Sequence, residues 1–186
     1  MGHSVSVFAK TTICPSCAAA IELGNLSFSS NASRPVDLRG TLTVRAAANL
    51  NSSCVICTDA VIEGRITGTL YCESSLELLG SGRIGFKAFA RAASIGKSAR
   101  LELGFPLAVG SLEVRGQLHG PVVCSGGITI RKGGTLVGNF EARAIMVERG
   151  GALEGSGRIT ASGGDPAALL PGNIKVPGPV TPGDRH

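Results

Sequence analysis

The sequence predicts an all-β fold, a solenoid in which one chain winds through six to seven coils of about 17–18 residues each. Three observations carry that prediction. Glycine is in excess over a core of small aliphatic side chains, a short motif returns every 17 or 18 residues, and apolar residues alternate inside each repeat. Glycine fills 27 of 186 positions, about twice its ordinary share. Hydrophobic residues still reach 43%, while aromatics are only 4%, with one Tyr and no Trp. That apolar content excludes a disordered polyelectrolyte, and the lack of a Gly-X-Y period excludes collagen. A long coiled coil is excluded too, because glycine is about 1 kcal/mol worse than alanine at each helical position.

The motif is a small residue, any residue, then an aliphatic one. It reads Gly64-Arg65-Ile66, Gly82-Arg83-Ile84, Ala99-Arg100-Leu101, Gly116-Gln117-Leu118, Gly134-Thr135-Leu136 and Gly151-Ala152-Leu153. Its aliphatic position steps by 18, 17, 17, 18 and 17 residues. A second column lies just upstream: Val61/Ile62, Leu76-Glu77-Leu78, Leu112-Glu113-Val114, Ile128-Thr129-Ile130 and Ile145-Met146-Val147. Apolar residues two apart share one face of a strand, so each unit is a strand, a glycine-bearing turn and another strand. A unit of this length is one coil of a β-helix, paired to the next by a parallel ladder. Aliphatic columns then stack inside, Arg, Glu and Thr face water, and glycine takes the corners, where positive φ or close backbone approach is needed.

Counting from about Leu50 to Ile159 gives the coil number and, at ~4.8 Å per coil, a rod roughly 30 Å long. The β-helix domain is placed at residues 36–160, with Val36–Val44 (VDLRGTLTV) as a partial cap at its start. The coil from Ala88 to Leu103 is the most weakly patterned. Residues 1–35 are read as an N-terminal tail carrying a CxxC, and the Pro- and Gly-rich residues 161–186 as a flexible tail.

Eighteen Lys and Arg against 13 Asp and Glu give a net charge of +5. The cations are spaced singly between aliphatics and few aromatics accompany them, so nucleic acid is not an expected partner. No stretch reaches the ~18 apolar residues of a membrane span. The N-terminus lacks the basic region of a signal peptide, and its Met-Gly-x-x-x-Ser match through Gly2 and Ser6 is a loose myristoylation pattern. The expected compartment is the cytoplasm, where thiols stay reduced.

Catalysis is not expected. Of the histidines His3, His119 and His186, only His119 falls in the repeat, in an outward slot beside the corner Gly120. Nucleophile-elbow, phosphate-loop, dinucleotide and zincin motifs are missing, and acidic residues occur singly. The left-handed β-helix of hexapeptide acyltransferases needs an aliphatic every six residues. Here the steps after Ile62 are 4, 4, 6, 2 and 6.

Six cysteines are many for a reduced compartment. Two CxxC pairs, Cys14/Cys17 and Cys54/Cys57, raise zinc as a cofactor. Against it, 36 residues separate the pairs, and residues three apart on a strand face opposite sides. A four-thiolate zinc site on Cys14, Cys17, Cys54 and Cys57, a vestigial site, and a redox or structural-thiol role all stay open. Cys72 and Cys124 are read as small wall residues of the coils.

The run from about Val61 to Gly157, with AVIEGRITGTLYCESSLELL, SLEVRGQLHGPVV, GITIRKGGTLVGNFEA and IMVERGGALEGSG, resembles the bactofilin family of polymer-forming bacterial cytoskeletal proteins. The resemblance implies a right-handed β-helix between unstructured tails. It also implies nucleotide-independent filaments built end to end, which support cell shape, cell-wall or polar organisation at the inner face of the membrane. The implied partners are further copies of the chain and cell-wall or membrane-associated proteins, with peripheral membrane contact. Many relatives carry an aromatic in the last coil, where this chain has Leu153. Some carry a zinc ribbon ahead of the β-helix, and CPSCAAAIELGNL resembles its second half without the first.

Elementary physics gives the same assembly surface. The end coils of a β-helix expose unpaired backbone rows and an open apolar core. Leu136, Phe140, Leu153 and Ile159 are therefore expected to stack against another subunit, the alternative being that they close the core of a monomer. A non-polymerising binding module, or an acyltransferase relative, is the competing reading of the whole chain.

Overall fold

The computed structural model describes residues 24–160 in full and the backbone of Thr11–Ile13 and Ala20–Leu23. Short strands open the chain: β1 (Thr11–Ile13), β2 (Ala20–Leu23), β3 (Leu26–Phe28), β4 (Ala32–Ser33), β5 (Val36–Arg39) and β6 (Thr41–Val44). Longer ones bend around corners in the middle: β7 (Asn49–Cys57), β8 (Asp59–Ile62), β9 (Arg65–Leu78), β10 (Ser81–Ile95), β11 (Arg100–Leu103) and β12 (Leu107–Val114). Short strands return as β13 (Gln117–His119), β14 (Val122–Cys124), β15 (Gly127–Ile130) and β16 (Thr135–Val137). The last are β17 (Phe140–Ala142), β18 (Ala144–Val147), β19 (Ala152–Glu154) and β20 (Gly157–Ile159). The described residues contain no helix, and the parallel strands stack as a β-solenoid of about eight turns.

Three walls, A, B and C in chain order, enclose the core. Wall A stacks Val36, Val55, Leu70, Ala88, Leu107, Val122 and Phe140. Wall B stacks Phe28, Val44, Ile62, Leu78, Ile95, Val114, Ile130 and Val147. Wall C stacks Ala32, Leu50 and Ile66, and further along Leu101, Leu118, Leu136 and Leu153. Most strands alternate in burial, as in the BeBe pattern of Val36–Arg39, whereas Leu107, Ala108 and Val109 are buried in succession and the strands of the last turn are largely exposed. The prism is narrow, and it shows in the phenylalanines: among the described residues only Phe86 is buried. Among the described residues one polar side chain is buried, Ser52, whose Oγ donates to the Cys54 carbonyl at 2.8 Å.

Corner glycines make the prism possible. Gly120, Gly138 and Gly155 stack at one corner with φ of 129°, 137° and 134°. A Cβ on Gly138 would stand 2.4 Å from the Gly120 carbonyl oxygen, and one on Gly155 2.1 Å from that of Gly138. Only glycine meets both demands, a left-handed conformation and contact with the turn below.

Three expectations are corrected. Val36–Val44 is not a cap: β5 and β6 are complete core strands, with Val36, Leu38, Leu42 and Val44 buried. Parallel pairing begins before residue 36, where β2 pairs β5, β3 pairs β6 and β4 pairs β7. The count is therefore about eight turns rather than six to seven. Third, the motif column slips on wall C. Ile84 pairs Leu103, and Leu101 pairs Gly82. The wall B turns vary from 16 to 19 residues, and the step from Ile95 to Val114 is the longest. Residues 161–186, expected to be a flexible tail, lie outside the described residues, as do most of 1–23.

Candidate functional site: the ends of the solenoid

The C-terminal turn is laid down by β18, β19 and β20, each of which pairs on one side only, with β15, β16 and β17. Among the described residues, its far edge is a triangle of unpaired backbone donors and acceptors, which costs free energy unless water or another strand satisfies it. Inside that triangle the core is open. Val147 is 43% exposed and Ile159 59% exposed, while Ile145 and Leu153 are half-buried against the turn beneath.

Phe140 reaches this surface from one turn below. It pairs with Gly157, and a Cβ on Gly157 would lie 1.8 Å from the Phe140 ring. The ring therefore occupies the place that a side chain at position 157 would take, filling the wall A corner of the last turn with an aromatic. Of the four residues expected at the end, Phe140, Leu153 and Ile159 meet around the opening. Leu136 does not: it lies one turn deeper, between Leu118 and Leu153, at 1% exposure. Ile145 and Val147 take its place. They were already visible as the last members of the second column, and following every column to its final residue would have found them.

The open turn is held by charge. Arg131 donates through Nη2 to Glu113 Oε2 at 3.0 Å and through Nη1 to Glu148 Oε1 at 2.5 Å. The Lys132 amide donates to Glu148 Oε2 at 3.2 Å. Arg131's hydrogen bond, with help from Arg115, holds the Glu113 carboxyl below the ordinary range although partial burial opposes it. The same guanidinium, aided by the Lys132 amide, lowers Glu148.

The N-terminal end is built otherwise. On wall A, β2 lies over β5, and β1 then pairs with β2 antiparallel, turning the ladder back on itself. On walls B and C, β3 and β4 are edge strands with half-buried Leu26, Phe28 and Ala32, and the Arg34 guanidinium lies 5.5 Å from the Phe28 ring centre.

The cysteines do not gather. Cys14 and Cys17 lie outside the described residues. Cys54 points outward from β7 and Cys57 inward, so an unbroken strand cannot offer both thiolates to one ion. Among the described residues no three His, Cys, Asp or Glu side chains form a metal-binding group. Cys57 and Cys72 instead stack inside wall A with sulfurs 3.6 Å apart. The hydrogen bond shared with Cys57, and then burial, push the Cys72 thiol far above its ordinary pKa. Burial also raises Cys124, and burial then Asp37 raise Cys54. Cys72 and Cys124 are wall residues, as expected. His119 stands exposed beside Gly120. Comparison with protein-family models, curated proteins and solved structures finds no match to this chain.

Proposed function

We propose that the chain is a self-assembling scaffold of the bactofilin type, whose solenoid ends stack on one another to form filaments without nucleotide. The observation that carries this reading is the unsealed C-terminal turn. Among the described residues, three one-sided strands, the exposed Val147 and Ile159 and the half-buried Leu153 and Phe140 stand where a soluble monomer needs a cap. A second copy supplies what that edge lacks, aliphatic side chains and a backbone ladder. Cell shape, cell-wall or polar organisation is the role that such a scaffold takes in this reading, at the inner face of the membrane. Any zinc is incidental to assembly, because the thiols at Cys57, Cys72 and Cys124 serve the wall.

Negative-stain microscopy and sedimentation of the purified chain without nucleotide test the proposal. Filaments are expected from the unaltered chain, and folded, short species from Leu153→Arg and Ile159→Arg. Discrete trimers would favour the acyltransferase-like alternative, and filaments that survive both substitutions would overturn the end contact.

A further inference from the structure

The outer surface of wall A differs from the other two. Its central outward column, paired strand to strand, reads Asp37, Ile56, Tyr71, Phe89, Ala108, Val123, Glu141 and Arg158. Five consecutive turns thus place an apolar side chain in the outward position, with Ile56, Tyr71, Phe89 and Val123 half-buried and Ala108 buried at 4% exposure. The equivalent column of wall B reads Thr43, Val61, Glu77, Ser94, Glu113, Thr129 and Met146, with its two apolar members far apart, and wall C carries Arg100, Gln117 and Thr135. Outward positions on a sheet are where alternation places polar groups, so an uninterrupted apolar stripe marks an interaction surface. Tyr71 and Phe89 stack with ring centres 5.1 Å apart and planes 9° from parallel, which makes a flat, stiff centre.

We infer that this stripe pairs with the same stripe of a second copy, the two solenoids lying side by side and antiparallel. The order of side chains specifies that partner. A two-fold axis between the Phe89 and Ala108 turns sets Phe89 opposite Ala108 and Tyr71 opposite Val123, a large ring against a small side chain each time, and it sets Ile56 against the Glu141 side chain. The same axis brings Asp37 of each copy to Arg158 of the other, joining opposite charges at both ends. Both residues are exposed. In the flanking outward columns it sets Lys87 against Pro106 and Arg91 against Gly110, so no like charges face each other. A parallel arrangement would instead place each ring on its own copy and Asp37 on Asp37. Isologous contact of this kind closes after two subunits, and it leaves both solenoid ends free. It stands independently of end-to-end stacking.

Tyr71 is the chain's one tyrosine, and there is no tryptophan, so intrinsic fluorescence reports on this stripe alone. The test uses the full chain carrying Val147→Arg, with Ile159→Arg as the substitute background should that variant fold poorly. Acrylamide quenching of Tyr71 and sedimentation are followed against concentration. Dimers are expected, with Tyr71 growing more shielded as they form. Phe89→Asp, outward and clear of the core, should abolish both effects. Arg158→Asp should weaken dimerisation about tenfold, and adding Asp37→Arg should restore it. A monomer with Tyr71 open to quencher at every concentration overturns the inference. So does shielding that is independent of concentration and vanishes when the chain ends at Thr160, since the chain's own C-terminal segment would then be the cover. Failure of Asp37→Arg to rescue Arg158→Asp overturns the antiparallel register.

Discussion

The two ends of the solenoid are made of the same turn, yet only one is finished on wall A. At the N-terminal end, β1 pairs antiparallel with β2, and the ladder no longer offers a parallel edge there. At the C-terminal end, among the described residues, β18, β19 and β20 all present free edges, and the core opens at Val147 and Ile159. The difference teaches that closure is a matter of strand direction as much as of side chains. A parallel edge accepts another identical turn, whereas an antiparallel hairpin changes the hydrogen-bond pattern that the next strand must meet.

The sharpest way to break the comparison is to change a middle turn and an end turn alike. Leu118→Arg buries a charge in a fully enclosed position and should unfold the chain, a loss of more than about 4 kcal/mol, read by circular dichroism. Val147→Arg, in the open turn, should leave the melting temperature within a few degrees while abolishing the proposed filaments, with microscopy as the check. The glycine ladder gives a smaller contrast. Gly138→Ala, with positive φ and a backbone oxygen 2.4 Å from the new Cβ, should cost about 2–4 kcal/mol in denaturant titration. Gly133→Ala, with φ of 80° and open space around it, should cost only about 1 kcal/mol.

The smallest effect is electrostatic. Glu113 and Glu148 have carboxyl pKa values lowered by Arg131 in the folded chain, so the unfolded chain binds protons first as pH falls. Their contribution is complete above the ordinary Glu value of about 4.3 and fades as pH drops through the lower folded values. Melting temperature should decline across that window. Glu113→Gln should flatten the decline, and salt should shrink the difference, because these groups are largely exposed.

Most of the fold was legible because a buried column must repeat wherever a turn repeats. Leu101, Leu118, Leu136 and Leu153 announce their own stacking. The first turn was illegible for the converse reason. β3 and β4 carry Leu26, Phe28 and Ala32 among serines and asparagines, and asparagine side chains help hold the register. Asn25 Oδ1 accepts from the Thr41 amide and Asn31 Oδ1 from the Asn49 amide. The slip at Ile84 was hidden because Leu101 and Leu103 are both apolar and two apart, so either satisfies the pattern. The positions of Phe140, Leu153 and Ile159 in the last two turns were readable from the sequence. Leu136 was misplaced by one turn because a motif column does not say which of its members is last.

The variable length of the turns bears on how the molecule forms. Each turn touches only its neighbours, 15 to 19 residues away along the chain, so ordering can start in the middle and spread as a zipper, without long loops to close. The final event of that zipper is the docking of β18, β19 and β20 on the turn below. In the proposed filament, the next event is the docking of another molecule's edge on β18, β19 and β20. Folding and growth become successive steps of one reaction, and the chain's last intramolecular turn is the template for its first intermolecular one.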